Sequence, residues 1–403
     1  MKHFIYILLV LIPLIWALPP TYNYCDSGRF IPSTFHHDKT LQLAQVITRH
    51  GDRVPDSVIP NDSTVWNCSL TTLSHASNSK SASEKLSGMM FRKKYMQNRE
   101  VLPGNCACGQ LTDKGFRQHQ NLGSQIRDLY INEYGLLPSD FSRENIYIRC
   151  TEYQRTFDSA MGSLSGLYPP QGNRTSNIPI APVYTVDSAN EYIKININSC
   201  PKLQSLDTQL RNSTAWKIHQ ESLLGLTEKL RLILKTNNLP SWGVLGGYLS
   251  AQQCHNLPWP ADITESIYEQ IMDAANWEMA YLWDHPEYSY LGIGQLLGEI
   301  YENIISSIQG ELNLYYMLYS GHDDTIGGFL ANLGLFDGLW PPYASHIALE
   351  LWRDNDGTYF VQMKYNQKIL LPPGCSHEMC PLEEFEKIAS LRIPKNIKKL
   401  CSS

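Results

Sequence analysis

The chain centres on residues 48–55, which read Thr48-Arg49-His50-Gly51-Asp52-Arg53-Val54-Pro55. An apolar run at 41–47 precedes them and predicts a buried strand. Gly51 and Pro55 then break this strand into a loop. One histidine therefore lies at a strand end between two arginines, in a turn too tight for bulky side chains. Loops at strand ends, held by a rigid sheet, are where α/β proteins place their chemistry.

This motif predicts an anion site with a nucleophile inside it. Guanidinium groups are planar, permanently charged forks that suit phosphate oxygens. An imidazole can attack phosphorus and hold it covalently. A lone Arg-His pair is usually a solvated turn. The full pattern Arg-His-Gly-x-Arg-x-Pro is more specific, because five fixed residues recur by chance in about one of 10,000 chains of this length.

Composition places the chain among globular proteins. Its 403 residues can bury a large core and predict two domains. Hydrophobic residues make up 43% and charged residues 18%, which are ordinary globular values. The net charge of −6 argues against a nucleic-acid binder, which is usually basic. Arg49 and Arg53 therefore form a local basic spot on an acidic protein.

The first residues have the features of an export signal. A short positive start, an apolar run at 4–16 and Ala17 predict a secretory signal peptide over residues 1–18. The run is short for a membrane span, so an uncleaved anchor is the weaker alternative. No later stretch is long and apolar enough to span, and we expect no membrane anchor.

Cysteines and sequons agree with export. The ten cysteines are an even number, which is typical of disulfides formed outside the cytosol. Four Asn-x-Ser/Thr sequons predict N-glycans. The acceptor residues are Asn61, Asn67, Asn173 and Asn212.

A second strand-end motif lies far along the chain. Residues 312–319 predict a strand, and it ends in Ser320-Gly321-His322-Asp323-Asp324-Thr325 before a predicted helix. His322 can donate a hydrogen bond to phosphate, and Asp323 can supply a proton to a leaving oxygen. Asp324 adds a carboxylate that either raises a neighbour's pKa by like-charge repulsion or faces solvent.

A third region of interest follows a long polar loop at 56–109, which carries a basic patch at 92–94. Thr112 or Asp113 is a plausible helix cap, and the helix has an apolar face. A strand at 145–150 precedes another helix that begins near Arg155. On its own, this arginine is more typical of a surface ion pair, although a helix start favours anions.

Later segments read as helices and a hairpin. Residues 203–304 predict several amphipathic helices, with a capping box at 262–265 and a loop at 292–294. Residues 347–353 and 359–365 predict a hairpin, and a short helix follows at 381–391.

Together the two strand-end motifs resemble those of the histidine acid phosphatases. Asp52 makes the first motif most similar to that of the prostatic and lysosomal group. The resemblance covers residues 41–401. It implies an α/β fold with a phosphoglycerate-mutase-like three-layer α/β/α domain and a mixed central sheet. That domain would comprise residues 25–168 and 305–403, and an inserted, mainly helical cap domain would span 169–304.

The resemblance also implies roles for individual residues. His50 would attack phosphorus and form a phosphohistidine. Asp323 would protonate the leaving alcohol, and because it must itself be protonated, an acidic optimum follows. The phosphate would be held by Arg49, Arg53, Arg155 and His322. Arg155 matches the third phosphate-holding arginine of the family, whereas Arg149 reads as its structural neighbour.

No cofactor is expected. The remaining histidines form no His-x-x-x-His pair and no dense cluster with Asp or Cys, so no metal site is predicted.

For the cysteines, the resemblance implies bridges Cys200–Cys401 and Cys375–Cys380. The position that would hold the partner of Cys254 is His346, so Cys254 pairs elsewhere or stays free. Connectivity of the other cysteines stays open. They are Cys25, Cys68, Cys106, Cys108 and Cys150. One hypothesis is a bridge from the long loop to Cys150, which would tether that loop near Arg155.

The expected protein is a secreted or lysosomal acid phosphatase that hydrolyses phosphoric monoesters without a metal. One alternative is a phytase-like enzyme of the same family, although Asp52 and Asp324-Thr325 depart from that pattern. A mutase of the wider superfamily fits poorly with export. A non-catalytic secreted binding protein that retains the fold is the third alternative. The family often forms dimers, and the sequence leaves monomer and homodimer, and the physiological substrate, open.

Overall fold

The computed structural model describes residues 22–30, 38–68, 74–75, 90–91, 102–169 and 180–402. The predicted signal peptide, the sequon at Asn173 and the basic patch at 92–94 lie outside these residues. For 74–75 and 90–91, the backbone alone is described.

The described chain contains both strands and helices. The strands are β1 (Lys39–Arg49), β2 (Ser74–His75), β3 (Met90–Phe91), β4 (Ile146–Cys150), β5 (Tyr316–Gly321), β6 (His346–Asp354), β7 (Tyr359–Tyr365), β8 (Lys368–Leu370) and β9 (Met379–Pro381). The helices are α1 (Asp113–Arg127), α2 (Gln154–Leu167), α3 (Pro201–Arg211), α4 (Thr214–Ser222), α5 (Leu224–Leu234), α6 (Trp242–Cys254), α7 (Glu265–Trp283), α8 (Pro286–Ile308), α9 (Asp323–Asn332), α10 (Leu382–Arg392) and α11 (Ile397–Ser402).

A mixed sheet forms the middle layer. Its strand order is β4-β5-β1-β6-β7-β8, and β9 also pairs with β7. β1 runs parallel to β5, which runs parallel to β4, while β6, β7, β8 and β9 add antiparallel pairs. β1 lies in the centre and is buried on both faces, which explains its nearly continuous apolar run. The predicted mixed α/β fold is therefore confirmed.

Helices α1 and α2 cover one face of the sheet. Leu122 and Ile126 of α1 pack with Val46 of β1 and Leu318 of β5, as the apolar face of this helix predicts. The two helices lie close together because glycine has no side chain at their contact. A Cβ atom on Gly123 would lie 1.9 Å from the carbonyl oxygen of Ser163 in α2.

Helices α8, α9 and α10 cover the other face. Ile293, Leu296 and Ile300 of α8 join Phe329 of α9 in the cluster that packs against Leu43 of β1. The loop predicted at 292–294 is wrong, because these residues lie inside α8. The small residues there permit close packing: a Cβ atom on Gly294 would lie 2.7 Å from the carbonyl oxygen of Arg392. The three-layer prediction is confirmed.

Helices α5, α6 and α7 form a separate apolar cluster beside the sheet. Leu245 and Ile271 belong to it, together with Tyr24, Trp340 and Tyr343 from other parts of the chain. The capping box predicted at 262–265 is shifted. Thr264 caps α7 by accepting a hydrogen bond from the backbone N–H of Ile267. The domain boundaries at 169 and 304 stay a prediction, and α8 crosses the second of them.

The described chain contains four disulfides, and three of them join segments far apart in sequence. They are Cys25–Cys254, Cys68–Cys106, Cys200–Cys401 and Cys375–Cys380. The last two are the pairs that the family resemblance implied. Cys254 pairs with the N-terminal segment. The hypothesis of a bridge from the long loop to Cys150 is wrong for the described chain, since this buried residue of β4 carries a free thiol there.

The parallel pairing brings three strand ends to one edge of the sheet. Arg49 at the end of β1 lies opposite Gly321 of β5. Cys150 at the end of β4 lies opposite Ser320. His50, His322 and the residues before α2 therefore leave the sheet side by side. Among the described helices, none combines the length and apolarity that crossing a lipid bilayer requires.

The close contact between α1 and α2 gives a stability prediction. We expect Gly123→Ala to lower the free energy of unfolding by about 1–3 kcal/mol, because the added methyl group meets backbone that cannot move freely. Gly225→Ala in α5 is the matched control. No atom lies within 4 Å of its Cβ position, and removing a helical glycine should stabilise by about 0.5–1 kcal/mol. Urea denaturation of both variants measures the difference. Equal effects would contradict the packing argument.

Candidate active site

Backbone hydrogen bonds hold the loop after β1 against its neighbours. The N–H of His50 donates to the carbonyl of Gly321 at 3.0 Å, and the carbonyl of His50 accepts from Ala344 at 3.1 Å. Gly51 approaches α1 so closely that a Cβ atom would lie 2.3 Å from the carbonyl oxygen of Gly115. The motif needs glycine at this position because of the contact with Gly115.

Buried side chains from α1 and α2 support the same loop. Nε2 of His119 donates to the carbonyl of Arg49 at 3.0 Å, and Oγ of Ser159 accepts from the N–H of Gly51 at 3.1 Å. Asp52 does not face the pocket's arginines. Its Oδ1 lies 2.6 Å from Nε2 of His255, the residue that follows α6. The same oxygen accepts a hydrogen bond from the hydroxyl of Thr112, the N-cap of α1, at 2.5 Å. The loop after β1 is thus hydrogen-bonded both to α1 and to the residue that follows α6.

His50 is oriented as a nucleophile. Its Nδ1 lies 2.8 Å from the carbonyl oxygen of Gly51. A carbonyl can only accept, so Nδ1 carries the proton and Nε2 keeps its lone pair. Burial lowers the pKa of His50 well below its usual value, and the positive charges of Arg155, Arg49 and Arg53 lower it further. Both effects favour the neutral imidazole.

Arg49 is fully buried in an aromatic box. Its Nη2 donates to the hydroxyl of Tyr24 at 2.8 Å and lies 3.2 Å from Oδ2 of Asp323. The guanidinium also lies 4.5 Å from the ring centroid of Tyr343. Burial alone would lower the pKa of Arg49, but Tyr24 and Asp323 raise it above the ordinary value. This arginine stays charged and fixed in place.

Arg53 and Arg155 share one carboxylate. Nη2 of Arg53 lies 2.6 Å from Oδ2 of Asp56, and Nη1 of Arg155 lies 3.5 Å from Oδ1 of the same residue. The guanidinium of Arg155 also lies 4.7 Å from the ring centroid of Tyr153. Burial lowers the pKa of Arg155, and Asp56 opposes this effect.

Three buried donors on these arginines lack an acceptor within the part of the chain that the structure describes. Nε of Arg49, Nε of Arg53 and Nε of Arg155 have no hydrogen-bond partner among the described residues. An unpaired buried N–H costs about 1–3 kcal/mol, and more on a charged group. Three such groups around one histidine favour a site for an oxyanion.

His322 lies beside His50, with ring centroids 5.6 Å apart. Its Nε2 is 2.8 Å from the hydroxyl of Thr151, which fixes the orientation of the ring. The ring also meets Tyr153 edge-on at 4.9 Å. Burial lowers the pKa of His322, and the charges of Arg155 and Lys194 act in the same direction.

Asp323 begins α9, and two side chains hold its Oδ2. Its Oδ2 accepts from Nε1 of Trp340 at 2.7 Å and lies 3.2 Å from Arg49. Burial alone would raise the pKa of Asp323, but Arg49, Trp340 and His322 together lower it to about 2. We expected a protonated Asp323 in acid. In this structure the carboxyl is instead ionised at pH 5.

Asp324 shows the opposite behaviour. Burial and the neighbouring charge of Asp323 raise the pKa of Asp324 to about 7. Its Oδ1 is buried and has no hydrogen-bond partner in the described chain. Of the two readings that the sequence left open, like-charge repulsion therefore fits, and the group affected is Asp324 itself.

The structure brings together the residues that we predicted for the site: His50, Arg49, Arg53, Arg155, His322 and Asp323. Arg149 lies elsewhere and pairs with Glu191 and Glu299 at 2.9 and 3.1 Å. Sequence reasoning missed the aromatic residues around Arg49 and the carboxylate of Asp56. The run Leu339-Trp340-Pro341-Pro342-Tyr343, in which prolines separate two large aromatic residues, was the available signal.

The remaining predicted positions are at the surface or outside the description. Asn67 and Asn212 are exposed, as glycan acceptors must be. Asn61 is also exposed, but its side-chain amide donates to the carbonyl of Leu234. Within the described residues, no group of three His, Cys, Asp or Glu side chains is arranged to hold a metal ion.

Comparisons with known proteins agree with this geometry. The family model described as "Histidine phosphatase superfamily (branch 2)" matches residues 40–236 and 261–366. "Counting factor 60" of Dictyostelium discoideum is 36% identical over 387 residues, covering 94% of this chain and 92% of that protein. "Prostatic acid phosphatase" of Rattus norvegicus is 29% identical over 376 residues, covering 89% of this chain and 88% of that protein.

A solved structure shares the fold at low sequence identity. The phytase of Hafnia alvei in complex with tartrate superposes with a TM-score of 0.61 at 15% identity. The match covers 90% of this chain and 99% of that chain. At this identity the likeness concerns the arrangement of helices and strands.

The raised pKa of Asp324 gives a stability prediction. A carboxyl that titrates near 7 when folded and near 4 when unfolded stabilises the fold below pH 4, and this contribution is lost as the pH rises to 7. Asp324→Asn removes the titration. We expect the variant to match the wild type at pH 4 and to be more stable by about 2 kcal/mol at pH 7.5, after allowance for solvent screening. Urea denaturation at both pH values measures this, and an equal difference at both would contradict the assignment.

Proposed function

Because the chain belongs to the histidine phosphatase superfamily (branch 2), we propose that it is an acid phosphatase that hydrolyses phosphoric monoesters through a phosphohistidine at His50. One observation carries the proposal. A neutral, buried histidine with a free Nε2 lone pair lies among three arginines whose Nε donors are unpaired in the described chain. That arrangement suits nucleophilic attack on a bound phosphoryl group.

The first step is transfer of the phosphoryl group to His50. Nε2 attacks phosphorus in line with the leaving oxygen, so that a P–N bond forms as the P–O bond breaks. The oxygens of the phosphoryl group would be held by Arg49, Arg53, Arg155 and His322. Their positive charge and hydrogen bonds stabilise the negative charge of the transition state, which is the main source of rate in phosphoryl transfer.

Asp323 is the proposed proton carrier. It is ionised in the free site because Arg49 and Trp340 stabilise its charge. A bound phosphoryl group offsets the arginine charge and therefore raises the pKa of Asp323. Below about pH 6 a monoester carries a proton of its own. Asp323 would take that proton, pass it to the leaving oxygen, and later accept a proton from the water that cleaves the P–N bond.

An acidic optimum follows from the proton supply and not from Asp323 alone. The proton needed by the leaving group enters with the substrate monoanion, which predominates in acid. Burial and the arginines favour the neutral, nucleophilic form of His50 under these conditions. The two requirements are met together only at acidic pH.

Export through the signal peptide at 1–18 is part of the proposal. The four disulfides support it, since such bridges form in oxidising compartments. A lysosomal or extracellular location would place the enzyme in such a compartment. Metal independence is also proposed, because nucleophile, proton carrier and charge stabilisation are all supplied by side chains.

Two alternatives remain. A phytase-like enzyme has the support of a shared fold with a solved phytase. A non-catalytic binding protein is favoured by one relative, "Counting factor 60", whose name states no enzymatic activity. Against it stands the complete catalytic set, including the unpaired arginine donors.

Replacement of His50 tests the nucleophile. We expect His50→Ala to lower kcat for an aryl phosphate at about pH 5 by more than about 1,000-fold with the fold intact, because the substitution removes the proposed acceptor of the phosphoryl group. His377→Ala, at an exposed position, is the matched control and should retain activity. Circular dichroism verifies folding. Wild-type activity that persists with a chelator present checks metal independence.

Several results would reject this proposal. A His50→Ala variant with near-normal turnover would exclude a phosphohistidine at this residue. A wild-type protein that is inert toward aryl phosphates would favour the binding protein. Loss of activity with a chelator, restored by a divalent ion, would exclude a metal-independent mechanism.

Trp340 offers a second test, directed at the proton carrier. Trp340→Phe keeps an aromatic ring but removes the N–H that stabilises ionised Asp323. We expect the pKa of Asp323 to rise, so that the descending limb of kcat against pH moves to higher pH and kcat falls about tenfold. Trp277→Phe is the control, since Trp277 stacks on His219 away from the site. An unmoved limb would mean that Asp323 does not set the pH dependence.

A further inference from the structure

Asp56 has a place in the pocket that the mechanism does not explain. Its carboxylate lies between two arginines that are proposed to hold the phosphoryl group, 2.6 Å from Arg53 and 3.5 Å from Arg155. The side chain is 46% exposed, so it remains open to solvent and to a substrate. Gly109 leaves room for it, because a Cβ atom there would lie 2.3 Å from Oδ1 of Asp56.

Asp56 also lines the cavity next to the phosphoryl site. The cavity holds about 210 Å³ and contains three charged side chains among the described residues: Arg53, Asp56 and Asp323. Arg53 and Asp323 are committed to the phosphoryl group and the proton. The rest of the described wall is neutral and consists of Pro55, Ser57, Ser241, Gly243, Val244, Gly247, Tyr248 and Trp340.

The cavity has the position of a leaving-group site. It includes Asp323, which would protonate the leaving oxygen, and Arg53, which would hold the phosphoryl group. Its volume is below the range of about 300–1,000 Å³ that is usual for pockets of drug-sized ligands. A compact leaving group therefore fits.

In such a site the charge of the leaving group determines which substrates are accepted. A leaving group with a second phosphate would bring at least one more negative charge beside Asp56. Like charges a few ångströms apart repel each other near a protein surface, and solvent screening reduces the repulsion. The arginines nearby are already shared between Asp56 and the first phosphoryl group, so they compensate little of the repulsion.

We propose that Asp56 is a specificity-determining residue, which restricts the enzyme to monoesters whose leaving group is compact and carries no second phosphate. This inference rests on the proposed function, and it deepens it by naming the substrate class. It also separates the acid phosphatase from the phytase-like alternative, since inositol hexakisphosphate carries many phosphates.

The test compares two sugars that differ by one phosphate. We would measure kcat/KM of the purified protein for fructose 6-phosphate and fructose 1,6-bisphosphate, with an aryl phosphate as the reference. The wild type should prefer the monophosphate. In Asp56→Asn the ratio of the two kcat/KM values should move about tenfold toward the bisphosphate, mainly through a lower KM. Asp356→Asn, in the exposed turn between β6 and β7, is the matched control and should leave the ratio unchanged.

The ratio of the two kcat/KM values distinguishes two roles of Asp56: selecting the substrate, and positioning Arg53 and Arg155. If Asp56 only positions Arg53 and Arg155, Asp56→Asn lowers kcat/KM for both sugars equally, and the inference is wrong. An electrostatic effect should also shrink at high ionic strength, because the carboxylate is exposed. An unchanged ratio with normal aryl phosphate hydrolysis overturns the inference alone. A wild type that cleaves no aryl phosphate overturns the proposed function, and this inference with it.

Discussion

The parallel pairing of β1 with β5 is the constraint on which the rest of the structure depends. Two parallel strands end at the same edge of a sheet, and here Arg49 lies opposite Gly321. The residues that follow, His50 and His322, must therefore emerge side by side although they are far apart in sequence. β4 extends the same pairing, so the turn into α2 delivers Arg155 to the same place. Sheet topology, and not loop flexibility, assembles the pocket.

The pocket then solves an electrostatic problem. An oxyanion site needs concentrated positive charge, whereas a histidine nucleophile must stay unprotonated. Burial and the arginines accomplish both, because the same charges that attract an anion also disfavour a second proton on His50. This arrangement places several cations close to one another in a buried site, and their repulsion is destabilising. Asp323 and Asp56 offset this charge, each as an ion-pair partner of an arginine.

Local patterns explain how much was predictable. The apolar run before His50, the strand before His322 and the helix faces are encoded in neighbouring residues, so the mixed sheet and the predicted site residues follow from sequence and family resemblance. Tyr24 and Trp340 escaped because nothing local marks a residue that touches the site only after folding. For the same reason nothing local marked the lowered pKa of Asp323, which depends on contacts with Arg49 and Trp340 that exist only in the tertiary structure.

The bridge between Cys25 and Cys254 ties oxidative maturation to the anion pocket. Its first cysteine follows Tyr24, whose hydroxyl accepts from Arg49, and its second precedes His255, which contacts Asp52. One disulfide thus holds in place two residues that support the loop after β1. A nascent chain in a reducing cytosol lacks this link. Support of the anion pocket is therefore coupled to oxidation of this cysteine pair, which the proposed export route would provide.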